Sequence, residues 1–165
     1  MIRLDDRDLE ILRAVSQDGR ITKAGLSERV GLSPSAAWDR LKKLERAGLI
    51  SGYGARIALK KITPHVTVFV VLDIGDHTAA SFRNFETGIQ AFDEVTGCWA
   101  LGGGLDYLLQ VQTRDMDSYQ SFIDEMLDAG IGVHRYFTYV VTKLVKSTTA
   151  PPFELLLGAG DRPLD

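Results

Sequence analysis

The sequence has little of what marks secreted, membrane-spanning or thiolate-metal proteins. Its single cysteine, Cys98, can form neither an intramolecular disulfide nor a multi-thiolate metal site. The longest apolar stretch, Val66 to Leu72, contains a threonine and is far shorter than the roughly 18 residues of a membrane span. No apolar core or cleavage site of a secretory signal follows Met1. We therefore expect a cytoplasmic protein that does not contact a membrane.

Composition also argues against a disordered chain, because 45% of the residues are apolar and 25% are charged. A length of 165 residues fits one domain or two small ones. The net charge of -3 hides a split: residues 1–60 carry 12 Lys/Arg and 8 Asp/Glu, whereas residues 61–165 carry 7 and 14. This asymmetry predicts two domains, of which only the first faces an anionic partner.

Hydrophobic spacing predicts three short helices in the basic part. The first covers about Asp6 to Gln17, and the second is capped by Thr22 and ends at Gly31. The third begins at Ser33-Pro34, because serine caps free amides and proline fits the first helical position, and it runs to about Ala47. The short connection between the last two makes them cross steeply. This arrangement is typical of a helix-turn-helix.

A helix-turn-helix places its second helix in the major groove of DNA. Arg40 is the candidate for base recognition, since its guanidinium matches the O6 and N7 acceptors of guanine. Asp39 either accepts from a cytosine amino group or pairs with a neighbouring basic residue, and Trp38 is assigned to the core. A solvated three-helix bundle without DNA binding is the alternative. The candidate DNA-binding residues are Lys23, Ser33, Ser35, Ala36, Asp39, Arg40, Lys42 and Lys43.

The acidic part follows a different pattern. Residues 52–59 have no helical period and predict a strand or extended linker. After them we expect strands at Val66 to Ile74, Val95 to Leu101, Tyr107 to Thr113 and Val133 to Val145, with a helix after the first and another before the last. The order β-α-β-β-α-β predicts a ferredoxin-like domain with both helices on one face of an antiparallel sheet. Self-association is the simplest cover for the other face.

The predicted fold class is therefore α+β. A winged-helix-like helix-turn-helix domain spans residues 1–51, a linker strand residues 52–64, and the ferredoxin-like domain residues 65–146. Residues 147–165 form a tail that is either a frayed end or a segment docking on a neighbouring subunit.

Catalytic and cofactor motifs are absent from the sequence. The three glycines at 102–104 lack the spacing of a phosphate-binding loop and do not precede a helix. His65, His77 and His134 are dispersed, and their spacing matches no metal site. No serine, cysteine or histidine lies in a nucleophile motif. We expect no metal, no cofactor and no enzymatic activity.

Short motifs follow one another along nearly the whole chain. Those in the first part are Leu4-Asp5-x-x-Asp8-x-x-Ile11-Leu12, Asp18-Gly19-Arg20-Ile21, Gly31-Leu32-Ser33-Pro34, Arg40, Leu44-Glu45 and Gly48-Leu49-Ile50. Those in the second part are Gly103-x-x-Asp106-Tyr107-Leu108-Leu109 and Thr138-Tyr139-Val140-Val141. In this order they resemble the Lrp/AsnC family of feast/famine regulators, and the resemblance covers about Leu4 to Lys146.

The resemblance implies a transcriptional regulator that binds specific duplex DNA and whose DNA binding or assembly responds to an amino acid or related metabolite. It also implies a homodimer joined in part by the linker strand, further assembly such as an octamer, and a small ligand held between dimers near the Gly-x-x-Asp-Tyr turn. The backbone amides of that turn suit a carboxylate, Asp106 and Thr138 suit an ammonium group, and two aromatic residues are either pocket walls or core. The candidate ligand-binding residues are Trp99, Gly102, Gly103, Gly104, Asp106, Tyr107 and Thr138.

The chain departs from the family at one position of this turn. An acidic residue usually follows the glycine that matches Gly103, but this sequence has Gly104. We therefore expect a ligand whose amino group is met elsewhere or one larger than a simple α-amino acid. An architectural DNA-binding protein without a small-molecule effector is the alternative, and a ferredoxin-like enzyme would require an acid/base pair in the acidic domain.

Overall fold

The structure is a computed structural model that describes residues 4–148 and 150–157. The described residues form two compact units, one from residues 4–56 with 146–148 and 150–157 and the other from residues 57–145. This grouping divides the predicted linker and joins the tail to the first unit. Part of the predicted tail lies outside the described residues. Within the described ranges, no helix is long and apolar enough to cross a bilayer.

The N-terminal unit contains the three predicted helices: α1 (Asp6–Gln17), α2 (Lys23–Val30) and α3 (Pro34–Arg46). Each has a side-chain cap that satisfies a free amide of its first turn. Asp5 accepts from the Asp8 amide at 2.8 Å, and the Thr22 hydroxyl accepts from the Gly25 amide at 3.1 Å. The helices therefore begin where the capping residues predict.

The tail completes the core of this unit. Buried apolar residues of α1, α2 and α3 form that core, and Phe153 of a short helix α6 (Phe153–Leu157) packs against it. Leu155 and Leu156 of the same helix remain 83% and 69% exposed. The described part of the tail thus packs on the N-terminal unit of its own chain through Phe153, and docking on a neighbouring subunit stays a prediction.

The predicted linker strand does not form within this chain. Residues 51–58 have no strand hydrogen bonds, and a 3-10 turn follows at Leu59–Lys61. A strand needs a neighbour to pair with, and none lies alongside in the part of the chain that the structure describes. Tyr53 instead donates a hydrogen bond to Glu45 Oε1 at 2.9 Å.

The C-terminal unit has the predicted β-α-β-β-α-β order. It consists of β1 (Val66–Ile74), α4 (Ala79–Gly88), β2 (Val95–Ala100), β3 (Tyr107–Thr113), α5 (Met116–Asp128) and β4 (Val133–Val140). The strands lie in the order β2-β3-β1-β4, and each neighbouring pair is antiparallel. The ferredoxin-like fold predicted from the sequence is confirmed.

Alternation along the central strands separates the two sheet faces. Val68, Val70 and Leu72 of β1 are fully buried and belong to the same core as Phe85 of α4 and Phe122 of α5. One sheet face is thus covered by the two helices, as the sequence predicts.

The last strand is shorter than predicted. It ends at Val140, and only the Val141 amide continues the pairing, donating to Thr67 O at 2.9 Å. Because β1 begins at Val66, which the register places opposite Thr142, the residues after Thr142 have no strand beside them to bond. Leu144 and Val145 are consequently 68% and 86% exposed.

The second sheet face is largely apolar, and the described chain does not cover it. Strand register places Tyr139 opposite Phe69, Phe137 opposite Val71, and Trp99 opposite Leu108 on this face. The side chains of Trp99, Phe137 and Tyr139 are 48%, 42% and 57% exposed. We call this surface the open sheet face. Exposing this apolar surface to water is unfavourable, and the predicted self-association would bury it.

Candidate functional site

Helix α3 is positioned by a tight turn after α2. Gly31 adopts a left-handed conformation with a φ of 63°, which ends α2 at little steric cost. The Ser27 hydroxyl donates to Leu32 O at 2.6 Å, and the Ser33 hydroxyl accepts from the Ala36 amide at 3.3 Å. These bonds fix the point where α3 begins, and with it the surface that the helix presents.

The structure places most of the predicted DNA-binding residues on one accessible surface of α2 and α3. Ser35, Asp39 and Lys43 follow one another at helical spacing and are exposed. Lys23 and Ser33 are exposed beside them. The remaining predicted residues, Ala36, Arg40 and Lys42, are partly buried.

Two of the lysines gather over one aromatic ring. The Nζ atoms of Lys23 and Lys42 lie 4.8 and 5.2 Å from the centre of the Trp38 ring, which itself packs against the core. Lys42 also forms an ion pair with Glu45 at 2.6 Å. The core assignment of Trp38 agrees with this geometry, and the ring draws positive charge to the edge of α3.

Arg40 occupies a different position from the one expected of a base-contacting residue. Its Nη1 atom donates to Asp5 Oδ2 at 2.6 Å and to Asp8 Oδ1 at 2.8 Å. Arg40 therefore joins α3 to the start of α1. These two hydrogen bonds raise the pKa of the guanidinium further. Burial alone would raise the pKa of Asp5, but hydrogen bonds from the Asp8 amide and from Arg40 outweigh it and lower that pKa.

Asp39 does not form the ion pair that the sequence suggested. Among the described residues, its carboxylate has no hydrogen bond or ion pair with Arg40, Lys42 or Lys43. Arg40 is bound to α1 and Lys42 to Glu45, so neither orients towards it. An exposed, unpaired carboxylate at the centre of α3 keeps the cytosine contact open as a prediction.

The glycine turn lies between β2 and β3. The Leu101 amide donates to Asp106 O at 2.7 Å and closes it. A Cβ added at Gly102, Gly103 or Gly104 would meet nothing within 4 Å. The backbone of the turn is therefore accessible, and Gly103 holds a φ of 151° that disfavours any side chain.

The structure does not gather Trp99, Tyr107 and Thr138 into one pocket around this turn. Register pairs Trp99 with Leu108 and Ala100 with Tyr107, so Trp99 and Tyr107 point to opposite sheet faces and cannot form two walls of one pocket. Tyr107 is buried and donates to Glu86 Oε1 at 2.8 Å. Burial is the main cause that raises the pKa of Tyr107 to about 12, and this hydrogen bond adds to the effect. Thr138 shares a hydrogen bond of 2.6 Å with Tyr119 of α5.

Asp106 belongs to a charged cluster that the sequence analysis missed. Its Oδ2 atom accepts from the Ile74 amide at 2.8 Å and lies 3.0 Å from His77 Nε2. The same ring nitrogen lies 3.5 Å from Asp73 Oδ1. The spacing of four residues between Asp73 and His77 was the only signal in the sequence, because Asp106 is brought in by strand pairing.

Interactions within this cluster shift the pKa values of His77 and Asp106. Hydrogen bonding and charge from Asp106 raise the pKa of His77, and Asp73 adds to the effect. The Ile74 amide is the main cause that lowers the pKa of Asp106. The cluster therefore favours an ionised Asp106 carboxylate next to a protonated His77 ring.

An open cleft of about 690 Å³ lies at the same end of the sheet. Asp76, Ser81, Asn84 and His134 supply its polar groups. None of these residues was among those predicted to bind a ligand, since they come from three separated parts of the sequence.

Comparison with known proteins assigns both units. Residues 4–51 match a winged helix-turn-helix DNA-binding model, and residues 67–151 match the model of the Lrp/AsnC ligand binding domain. The second match alone covers half of the chain. This protein belongs to the Lrp/AsnC family. The family resemblance seen in the sequence is confirmed.

Relatives within the Lrp/AsnC family align over most of their length. The chain is 46% identical over 149 residues to the transcriptional regulatory protein DoeX of Halomonas elongata, covering 90% of this chain and 94% of that protein. It is 37% identical to the leucine-responsive regulatory protein of Escherichia coli, covering 88% of each. A transcriptional regulator of Neisseria meningitidis, solved in complex with L-Met, superposes with a TM-score of 0.86 at 35% identity, covering 93% of this chain and 99% of that one.

Proposed function

We propose that this protein is a transcriptional regulator that binds specific duplex DNA and whose DNA binding or assembly responds to an amino acid or related metabolite. The observation that carries this proposal is the union, in one chain, of a helix-turn-helix with an accessible basic surface and a ligand-binding domain of the Lrp/AsnC family. Its relatives are named as regulators and not as enzymes. As a DNA-binding regulator it would act in the cytoplasm.

The exposed stripe of α3 is the part that would contact bases. Ser35, Asp39 and Lys43 lie along it, and Lys23 approaches from α2. Lysine ammonium groups position a protein on phosphates, whereas short polar side chains near the N-terminus of the helix contact base edges. Arg40 would support this surface from behind by fixing α3 to α1.

Binding to duplexes selected from a random pool tests this assignment. Lys43→Ala should weaken binding to all sequences alike and reduce the salt dependence of log K by about one unit, because one phosphate contact is lost. Lys143→Ala, which removes the same charge from an exposed position of the other unit, is the matched control. Equal binding by Lys43→Ala and wild type would remove α3 from the interface.

The glycine turn and Asp106 are the proposed centre of the effector site. The open backbone at Gly102 and Gly104 suits a carboxylate, and the related Neisseria meningitidis regulator was solved with L-Met, an α-amino acid. Because Trp99, Tyr107 and Thr138 do not surround the turn within one chain, groups from a second subunit would have to complete the pocket. This requirement links ligand binding to assembly.

A thermal-shift screen of amino acids and their catabolites tests this site. An effector present at 100 times its Kd adds about 2.7 kcal/mol of stability. Gly102→Gln, which fills the turn without a left-handed φ, should abolish the shift, whereas Gly52→Gln in the linker should not. If no metabolite changes stability or DNA affinity, the protein is an architectural DNA-binding protein instead.

The open sheet face is the proposed homodimer interface, with further assembly such as an octamer. Trp99, Phe137 and Tyr139 give it exposed aromatic area that a second copy would bury. Salt screens interactions between charges but has little effect on apolar contacts. Light scattering should therefore show an oligomer at high salt as well as at low salt. Phe137→Ser should lower the molecular mass of the particle that light scattering measures. A monomeric wild type at micromolar concentration would refute this interface.

A further inference from the structure

The charged cluster at the end of β1 brings together three side chains that can bind a metal ion. A ring nitrogen of His77 and carboxylate oxygens of Asp73 and Asp106 all lie within 4.8 Å of one another. Three potential ligand atoms thus converge from three separate segments. We propose that Asp73, His77 and Asp106 form a binding site for a divalent transition metal ion such as Zn²⁺. The site shares Asp106 with the proposed effector site, but it rests on side-chain positions alone and its test uses no effector.

The distances suit a tetrahedral ion. Zinc binds histidine nitrogen and carboxylate oxygen at about 2.0 to 2.2 Å, so neighbouring ligand atoms of a tetrahedron are about 3.3 to 3.5 Å apart. His77 Nε2 lies 3.0 Å from Asp106 Oδ2 and 3.5 Å from Asp73 Oδ1. The two carboxylate oxygens lie within 4.8 Å of each other, so side-chain movement would bring all three ligands onto one ion, and a water molecule would take the fourth position.

Each ligand is also held in place by a partner outside the site. Arg135 Nη2 donates to Asp73 Oδ2 at 3.1 Å, which leaves Oδ1 directed at the ring nitrogen. The Ile74 amide fixes Asp106 Oδ2, and the His77 ring stacks on Phe82 with centroids 5.9 Å apart. Such outer partners orient metal ligands and are a common part of metal sites.

Charge and exposure select the class of ion. The side chains of Asp73 and Asp106 are only 17% and 18% exposed, while that of His77 is 62% exposed and leaves an entry path. The two carboxylates favour a cation, and the imidazole must lose its proton to bind one. An imidazole ligand favours zinc, nickel, copper or iron over calcium and magnesium, which prefer oxygen.

A bound ion would tie together three segments at this end of the sheet. Asp73 belongs to β1, His77 lies between β1 and α4, and Asp106 directly follows the glycine turn. The ion would therefore restrain the conformation of residues 102–105. This restraint is a consequence of the ligand positions and needs no further contact.

Calorimetric titration with ZnCl₂ tests the site. The protein is the untagged full chain in a Cys98→Ser background, which removes its only thiol, and it is treated first with a chelator. We expect one Zn²⁺ per chain. His77→Gln should weaken binding at least tenfold, and Asp106→Asn should do the same. His134→Gln removes an exposed histidine of the same unit and should bind Zn²⁺ as the parent does.

A second measurement guards against a folding effect of the Asp106 variant. Co²⁺ added to the parent should give visible absorption of a low-symmetry site, and His77→Gln should lose it while circular dichroism stays unchanged. His77 is largely exposed, so this variant is expected to fold. The proposal is overturned if the parent binds no Zn²⁺, if His77→Gln binds as tightly as the parent, or if His134→Gln loses as much affinity as His77→Gln.

Discussion

Replacing Arg40 with alanine separates a structural role from base recognition. In the structure the guanidinium holds Asp5 and Asp8 of α1 at 2.6 and 2.8 Å, so the change should first weaken the contact between α1 and α3. The sequence alone had suggested that the same change would relax preference at one base pair. The two roles predict different outcomes in two assays.

The size of the effect follows from the exposure of the partners. The side chains of Arg40 and Asp5 are 37% and 45% exposed, which limits this pair to the roughly 0 to 1 kcal/mol of surface salt bridges. Asp8 is only 12% exposed, and a hydrogen bond to a charged group of this kind contributes about 1.5 to 3 kcal/mol. Because the guanidinium is itself 37% exposed, solvent screening reduces the sum of these two ranges, and loss of both bonds should lower the free energy of unfolding by about 1 to 3 kcal/mol.

Urea denaturation and binding to every single-base variant of a selected operator are the two measurements. A structural Arg40 predicts a lower urea midpoint and a loss of DNA affinity that is uniform across base variants. Arg40→Lys keeps the charge but not the planar fork and should be intermediate. Lys43→Ala, at an exposed position of the same helix, should leave stability within about 0.5 kcal/mol.

The pH dependence of stability gives a further test of the pair between Arg40 and Asp5. Because the folded-state pKa of Asp5 is lowered, the stabilisation by its pair with Arg40 is present above the unfolded-state pKa and is lost as pH falls through the lowered value. The stability difference between wild type and Arg40→Ala should therefore shrink in acid. An unchanged urea midpoint combined with relaxed preference at one base pair would refute the structural role and restore direct base contact.

Three further predictions concern stability. Phe153→Ala should lower the unfolding free energy of the N-terminal unit by about 1 to 2 kcal/mol in urea denaturation, because the ring packs on the core of that unit. Leu155→Ala should have little effect, because that side chain is exposed. Equal effects of the two changes would contradict the packing of Phe153 on this core. Gly88→Ala should cost about 1 to 3 kcal/mol in the same assay, since its Cβ would lie 2.3 Å from Ile131 Cγ2, while Gly104→Ala, with open space around it, should be neutral. The neutral form of Tyr107 is favoured by folding, so the stability difference between wild type and Tyr107→Phe should decline as pH rises from 10 to about 12, and a constant difference would contradict the raised pKa.

The sequence by itself determined the elements and their order. Helix α1 spans the predicted Asp6 to Gln17, and the caps at Thr22 and Ser33 start α2 and α3 as expected. The alternation in β1 predicted its buried face. These features depend on residues within about four positions of one another, so the local order of apolar and capping residues is sufficient to specify them.

The tertiary structure decided which distant side chains meet. The partner of Arg40 lies 35 residues away in Asp5, Asp106 joins His77 across 29 residues, and Phe153 packs beside residues of α1 to α3. The early end of β4 and the absence of a strand at residues 51–58 likewise depend on whether a neighbouring strand is present. Such contacts depend on register and packing between separate elements, and no local spacing encodes them. This is why the helix proposed to contact DNA was visible in the sequence, while the support of Arg40 and the cluster around His77 were not.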